Sequence, residues 1–495
     1  MRIIELAELL ITARLIGDGE TVLTGIASDS RKVENGQLFI CLSGSKTDGH
    51  LHAPEAIRRG ACAIVAERVL DIDVPQLIVK DSRHAAAVIA DHYYGYPSRD
   101  MKLIGVTGTN GKTTTTYLIE QILQDQRQST GVIGTIEWRY AGSAFEVSGT
   151  TPHSIELHRY LAEMREVGTA YCALEVSSHA LAQGRVKGCR FRTAVFTNLT
   201  QDHLDYHQTM ESYAAAKGLF FSRLGNEFAA DESERAYAVL NADDEASAFF
   251  AKLTSAEVVT YGIDREADVR ASNVRITANG ATFHVTTFRG EIDISLQMAG
   301  RFNVYNALAA MSAALIEGIE LSRIKASLEA IPGVPGRIES VNAGQSFAVI
   351  VDYAHTPDGL ENVLLAIRQF AEKRVLCVFG CGGDRDRKKR PIMGAIAAAY
   401  SDYVLVTSDN PRTEDRFMIL KDIEVGLQEA KISSDKYELI ADRKAAIQKA
   451  VEMASPGDVV LIAGKGHENY QEIEGVKHPF DDRSVARDAI RGLLH

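Results

Sequence analysis

The residues best equipped for chemistry stand at 105–116, GVTGTNGKTTTT. A glycine-rich turn ending in Gly111-Lys112-Thr113 has the parts of a phosphate-binding loop. Backbone N–H groups cradle phosphate oxygens, a lysine adds mobile positive charge at the β/γ-phosphates, and a threonine hydroxyl is placed to ligate Mg²⁺. The usual spacing wants a glycine five positions before Gly111, but Val106 stands there, with Gly105 and Gly108 on either side of the required phase. The chain therefore carries either a decoy or a differently wound loop. Its flanks decide for the loop. MKLIGV before it reads as a buried strand, and after it Leu118, Ile119, Ile122 and Leu123 follow helical spacing. A strand, a turn and a helix N-terminus aim N–H groups and the helix dipole at one point. Gly108, Thr109, Asn110, Gly111, Lys112, Thr113 and Thr114 are the expected nucleotide-triphosphate site.

A metal belongs beside such phosphates. Glu175 sits in the apolar run CALEVSS, where an unpaired carboxylate would be costly; protein donors could satisfy it, but a Mg²⁺ partner explains it better. Downstream, TQDHLDYH crowds Asp202, His203, Asp205 and His207 together, and spacing alone does not choose a ligand among them. Lys217, in ESYAAAKGLFF, reads on sequence grounds as an ordinary helix-surface lysine. Cys377 and Cys381, with the three residues VFG between them, are weak metal candidates.

The elements that must hold these groups form three blocks, expected at 1–98, 99–334 and 335–495. The first mixes strand-like runs (QLFICLSG, ACAIVAE, PQLIVKDS) with helical stretches and ends at the turn-rich YGYPSRD. The second ends in IPGVPGRIES, whose prolines and glycines suggest a hinge. The third alternates apolar strands and amphipathic helices, as parallel α/β folds do. Polar clusters follow six apolar runs: KLIGV, YCALEV and AVFTNL in the middle block, RVLCVFG, YVLVTS and DVVLIAG in the last. Open parallel sheets bind ligands at the carboxyl ends of their strands, so two sites are expected, facing each other across the hinge.

Composition sets outer limits. The chain has 495 residues, too many for one core. A formal net charge of −12, which the one short basic run at 387–390 does not offset, speaks against nucleic acid or a membrane surface. The acidic residues within MRIIELAELL exclude a signal peptide, and six cysteines without C-x-x-C spacing suit reduced thiols in the cytoplasm.

The set GVTGTNGKTTTT, LEVSSHAL, FTNLTQDHLDYH, YAAAK, RFNVYNALAA, PGRIE, VDYAHTPDGLE, FGCGGDRDRKKRP, SDNPRTED and AGKGHE closely resembles the Mur ligases, in the expected order and across all three blocks. The resemblance implies an α/β protein of three domains. These are a uridine-nucleotide-binding N-terminal domain, a central P-loop-type ATPase domain and a C-terminal Rossmann-like domain. It implies ATP and Mg²⁺ as cofactors, and an amide ligase of cell-wall synthesis acting through an acyl phosphate. The implied partners are UDP-N-acetylmuramoyl-L-alanyl-D-glutamate and meso-diaminopimelate, and a monomer is expected. A lysine-adding homologue, a folylpolyglutamate synthase-like ligase and a non-catalytic scaffold are the alternatives.

By the same resemblance, Thr113 and Glu175 hold one Mg²⁺, while Glu175, His203 and a carbamylated Lys217 serve a second. Asn303, Arg337 and Asp352 match ATP contacts, with Tyr353 and His355 nearby. Ser28, Ser30, Ser45, Lys46 and Thr47 match a uridine-diphosphate pocket. Thr150, Thr151, Ser177, Gln183 and Arg185 match positions that hold the muramoyl-dipeptide. Gly149 stands where some relatives have Asn. For the incoming amino acid the resemblance points to Arg385, Asp409, Asn410, Pro411, Arg412, Gly464 and Glu468. Within that set Arg412 is chemically telling, because its planar fork suits the distal carboxylate that diaminopimelate has and lysine lacks.

Overall fold

A computed structural model describes residues 1–44, 47–147, 149–226, 228–277 and 280–494. The three blocks each fold around their own sheet. In the first, the strand order is Arg14–Ile16, Gln76–Ile78, Ala63–Ala66, Gln37–Ile40, Gly25–Ala27, with only the first pair antiparallel. The three apolar runs singled out above become the strands Gln37–Ile40, Ala63–Ala66 and Gln76–Ile78. Their Leu38, Ile40, Val65 and Leu77 pack against Ala85, Ala86 and Ile89 of helix Ser82–Tyr93. Asp81 caps that helix by accepting from the N–H groups of Arg83 and His84.

The middle block is an eleven-stranded sheet. At its centre Lys102–Thr107 lies between Tyr171–Glu175 and Phe191–Phe196, parallel to both. Register pairs Glu175 with Val106 and Phe196 with Thr107, so the three strands end level and deliver their following turns to one edge. Both faces are covered. Ile104, Val106, Leu118, Ile122, Val304 and Leu308 form one core, under helices Lys112–Asp125 and Arg301–Ile316. Leu103, Leu174, Phe196, Phe220 and Phe221 form the other, under Ser154–Glu166 and Met210–Ser222.

Four consecutive threonines are an unpromising start for a helix, since β-branched residues lose side-chain freedom there. Thr113 to Thr116 are nevertheless all buried in the first turns of Lys112–Asp125. The Thr116 hydroxyl donates back to the Thr113 carbonyl at 2.9 Å. Tertiary packing overrides propensity because the turn before the helix must be placed, not because the segment favours helix by itself.

The last block orders its strands Glu339–Ser340, Ala348–Asp352, Val459–Ala463, Val375–Phe379, Tyr403–Val406, Tyr437–Leu439, antiparallel only at the first pair. All five residues of Val459–Ala463 are buried, as a strand covered on both faces requires. The hinge expected in IPGVPGRIES is held against this block. A Cβ at Gly336 would lie 2.2 Å from the His467 nitrogen, so only glycine lets the segment touch the Gly464–Glu468 turn.

Candidate active site

The phosphate loop bridges Thr107 and the helix that starts at Lys112. Gly108 has φ +150 and Gly111 φ +86, and neither has room for a side chain. A Cβ would come to 1.8 Å from the Thr197 hydroxyl at the first and 2.4 Å from Asn306 Oδ1 at the second. The glycine at 108 is thus needed for close approach to the turn after Phe191–Phe196, which explains the unusual phase of the motif. Gly111→Ala is expected to raise the KM for ATP about tenfold or more, through backbone strain at a positive φ. The ATP dependence of phosphate release measures it, and an unchanged KM would refute the assignment.

Lys112 folds back over its own loop, with Nζ donating to the Gly108 and Thr109 carbonyls at 2.9 and 2.7 Å. Burial pushes its pKa down, and the charges of Glu175 and Asp202 oppose that fall. Thr113 Oγ1 accepts from Arg337 Nη2 at 3.2 Å, a contact from the last block to the loop. Asn110 bonds to Asp358 of helix Pro357–Arg368, a second link between the blocks. Both expected halves of the site therefore meet.

Glu175 is buried, but it is not unpaired as the apolar run suggested. Its Oε1 accepts from the Thr135 N–H and its Oε2 from the Thr135 hydroxyl, each at 2.9 Å. From there a string of bonds runs through the expected dipeptide residues. Thr135 Oγ1 accepts from Thr150 Oγ1 at 3.1 Å, and Thr151 Oγ1 donates to the Glu175 carbonyl at 2.7 Å. The Ser177 N–H donates to Thr151 Oγ1, and Arg185 reaches the Thr151 carbonyl and Gln183 Oε1. Thr135 and Gly134, whose missing side chain admits the Glu175 carboxylate, were not foreseen; a glycine-threonine pair after an apolar run is a faint signal.

His203 has φ +56 and pairs with Asp202 at 3.3 Å. Its ring lies 4.7 Å from that of His179. His207, an alternative on spacing, is turned to Ser178 at 2.9 Å. Lys217 departs most from its sequence reading. It lies on helix Met210–Ser222 but is 1 % exposed, its ammonium 4.5 Å from the Tyr213 ring centroid. Among the described residues no carboxylate pairs with it. Burial first, then the charge of Lys112, pushes its pKa well below the lysine range, against a pull from Asp202.

The residues expected at the nucleotide divide. Arg337 reaches the loop and stacks over Tyr353 at 4.7 Å. Asp352 instead accepts from the Ile338 and Ala354 N–H groups, fixing the hinge exit. Asn303 is buried and bonded to Ala299 and Asn306, so the residue that actually packs on Gly111 is Asn306. The second Asn in RFNVYNALAA, one helical turn on, was the available signal. In the N-terminal block Ser30 donates to Glu55 at 2.9 Å, Thr47 bonds His52, and Ser28 is half-buried. Ser45 and Lys46 lie outside the described residues. Among the described residues no hydrogen bond joins Ser28, Ser30 or Thr47 to the string around Glu175.

In the last block, three strand ends converge. Arg385 and Arg412 meet over Gly382, where a Cβ would lie 2.9 Å from Arg412 Nη1 and 3.7 Å from Arg385 Cγ. Gly464 leaves room for Asp409, whose Oδ2 would lie 2.6 Å from a Cβ there. Asn410 Nδ2 donates to Glu468 at 2.9 Å, and the fully buried Lys465 donates to both Asn410 and Glu468 at 3.0 and 2.8 Å. Lys465 was missed, because a lysine between two glycines reads as a solvated turn. Arg412 pairs with neither Glu414 nor Asp415. Its Nε donates to Glu472 at 3.2 Å and its Nη1 to the Gly383 carbonyl at 2.8 Å. Glu414 serves Arg390, and Asp415 caps the next helix. Pro411 lies between these ligands in the same turn. Cys377 and Cys381 are free buried thiols, the latter 3.6 Å from the Met393 sulfur. Burial pushes both thiols up to about 12.

A phosphate loop at the parallel centre of a mixed sheet, linked by Arg337 and Asp358 to a second, mostly parallel sheet whose strand ends carry acids and arginines, defines an α/β nucleotide-dependent enzyme of three domains. Comparison narrows the class. Residues 22–95 match the Mur ligase family catalytic domain, 106–314 the Mur ligase middle domain, and 336–466 the Mur ligase glutamate ligase domain. The chain is 50% identical over 491 residues to the UDP-N-acetylmuramoyl-L-alanyl-D-glutamate--2,6-diaminopimelate ligase of Halalkalibacterium halodurans, covering 99% of each. It is 51% identical over 473 residues to the protein so named in Geobacillus kaustophilus, covering 96% of each. A solved structure of a ligase of that name superposes with TM-score 0.69 at 35% identity, over 100% of this chain and 99% of the other. The MurF ligase of Thermotoga maritima in complex with ADP shares the fold, at TM-score 0.62, 20% identity and coverage of 96% and 97%. The chain belongs to the Mur ligase family.

Proposed function

We propose that this protein joins meso-diaminopimelate to UDP-N-acetylmuramoyl-L-alanyl-D-glutamate at the expense of ATP, in cytoplasmic peptidoglycan synthesis. The observation that carries the reading is the meeting of the two halves. Arg337 of the last block touches Thr113 of the phosphate loop, and Asp358 of the same block bonds Asn110 of that loop. The terminal carboxylate of the UDP-linked peptide attacks the γ-phosphorus of ATP, and ADP leaves. The amine of diaminopimelate then attacks the acyl carbon, loses a proton and expels phosphate. A carboxylate is a poor electrophile, and phosphorylation gives it a leaving group.

The residues have stated tasks in that sequence. Lys112 and the loop N–H groups hold the β- and γ-phosphates and offset charge on the transferring group. Arg337, freed from Thr113, is placed to join them. Thr150, Thr151, Ser177, Gln183 and Arg185 hold the dipeptide carboxylate toward the phosphate. Arg385, Asp409, Asn410, Arg412 and Glu468 orient the amino acid.

The donor set fits Mg²⁺. Glu175 offers a buried carboxylate with only Thr135 bonded to its oxygens among the described residues. Thr113 adds a hydroxyl and His203 an imidazole. Lys217 fits only as its carbamate: the neutral amine attacks CO₂, an N–C bond forms, a C=O electron pair moves to oxygen, and the nitrogen loses a proton. A buried lysine beside Lys112, with no anionic partner among the described residues, favours the amine form that this step needs. The bound ion would supply charge stabilisation at the phosphoryl oxygens.

The test is phosphate release from ATP with and without each of the other two substrates. Release that ignores either one would overturn the reading. The inter-block contacts carry a further expectation. Because nucleotide phosphates can engage Lys112 and Arg337 together, a non-hydrolysable ATP analogue should lower the radius of gyration in small-angle scattering. An unchanged radius at saturation would count against closure.

A further inference from the structure

Behind the acceptor turns lies a pair of charges that none of the steps above uses. Arg443, first residue of helix Arg443–Met453, and Asp482, first residue of helix Asp482–Leu494, are both completely buried side chains. Arg443 Nε and Nη2 donate to the two Asp482 oxygens at 2.8 and 2.7 Å, a bidentate pair. The other edge of the same guanidinium reaches backbone. Nη2 donates to the Ala463 carbonyl at 3.0 Å and Nη1 to the Ser408 carbonyl at 3.3 Å.

Those two carbonyls immediately precede Gly464 and Asp409. They belong to the ends of Val459–Ala463 and Tyr403–Val406, which are not neighbours, since Val375–Phe379 runs between them. Among the described residues no ladder bond joins these two strands directly, and the nearest backbone pairing lies beyond the turns, between Arg412 and the Glu472–Glu474 segment. The guanidinium spans the gap between their turns, and the Ser408 hydroxyl adds a bond to the Ala441 carbonyl at 2.7 Å, just before the same helix. The gap matters chemically, because Asp409, Asn410 and Arg412 stand on one side and Gly464, Lys465 and Glu468 on the other. Asn410 and Glu468 meet across it at 2.9 Å. A rigid planar fork can hold a carboxylate and two carbonyls at once, and a lysine ammonium cannot reproduce that geometry. Burial opposes the Arg443 charge, and Asp482 more than offsets it, with Asp409 and Glu468 helping.

We infer that Arg443, locked by Asp482, is a positioning residue for the amino-acid site. It sets the separation of the Asp409–Arg412 and Gly464–Glu468 turns and so governs acceptor affinity without touching the acceptor. The inference rests on the reading of these turns as the amino-acid pocket. The test uses the full-length enzyme with Arg443→Lys and, separately, Asp482→Asn, both close in size to the native residues. KM is measured for ATP, for the UDP-dipeptide and for whichever of meso-diaminopimelate and L-lysine the wild type accepts, beside a thermal melt by circular dichroism. A loosened pocket should raise the amino-acid KM about tenfold or more, since small misplacements of binding groups have large effects. The other two KM values should stay within about twofold, and the cooperative melt should remain. An unchanged amino-acid KM, an equal rise in all three, or failure of both variants to fold would assign the pair to stability alone and overturn the inference. A wild type that accepts neither amino acid fails the reading of the pocket itself, before any variant is made, and the inference falls with it.

Discussion

Lys217→Ala is expected to lower ligation by at least about 10²- to 10³-fold, the scale seen when a buried group that stabilises charge in a phosphoryl or acyl transfer is removed. The reasoning starts from an anomaly. A lysine 1 % exposed, 4.5 Å from an aromatic ring and pushed toward neutrality by burial and by Lys112, has no anionic partner among the described residues. As an ammonium it would repel the dication that Glu175 and Thr113 suit. As a carbamate it becomes an oxygen donor and turns the liability into a ligand. Three measurements separate this from simple packing. Lys217→Arg keeps the charge and much of the volume but cannot be carbamylated, so it should be as inactive as the alanine variant. Short-chain carboxylic acids should partly restore Lys217→Ala by filling the vacated space with a carboxylate. Labelled CO₂ should give a carbamate carbon resonance in the wild type that is missing in both variants. Full activity of either variant would sink the idea.

Why that lysine escaped a reading of the sequence, while the phosphate loop did not, is a matter of which signals are local. The loop announces itself because strand, turn and helix are contiguous, and each contributes its own periodicity over residues 101–125. The six polar clusters at strand ends were legible for the same reason, and all six apolar runs are strands of the two parallel sheets. Lys217 sits instead on a helix with apolar residues on every side, so its burial depends on what packs over it, which no local pattern encodes. Glu175 was half right. Its burial followed from the run around it, but its partner Thr135 comes from a turn forty residues earlier. Asn306, Lys465 and Arg443 share this fault, each meeting its partners only once distant turns converge. The N-terminal contacts expected for uridine diphosphate were the least legible, because Ser-rich turns look alike whether they bind a ligand or only cap a helix.

Arg412→Ala is expected to lower kcat/KM for meso-diaminopimelate by about 30-fold or more, as for truncating one member of a partly buried charge pair. It should affect L-lysine far less. The two amino acids share a head and a chain and differ at the far end, where diaminopimelate carries a carboxylate beside its amine. We propose that Arg412 meets that carboxylate. Its φ is +51, and its backbone is held on both sides by the Tyr470–Pro479 hairpin, accepting from Glu474 at 2.7 Å and donating to Glu472 at 3.0 Å. Its Nε is tied to the Glu472 carboxylate and its Nη1 to the Gly383 carbonyl, which fixes the plane of the fork, and among the described residues no hydrogen bond engages Nη2. Arg385, close by over Gly382, adds a second positive charge. With lysine bound, both cations would face an ammonium and no carboxylate, so the same residues that attract one substrate reject the other. Removing Arg412 should erase most of that discrimination, because it takes away attraction for one substrate and repulsion of the other in a single step. The assay compares both amino acids with the wild type and the variant. A wild type that prefers lysine, or a variant whose preference is unchanged, would overturn the assignment.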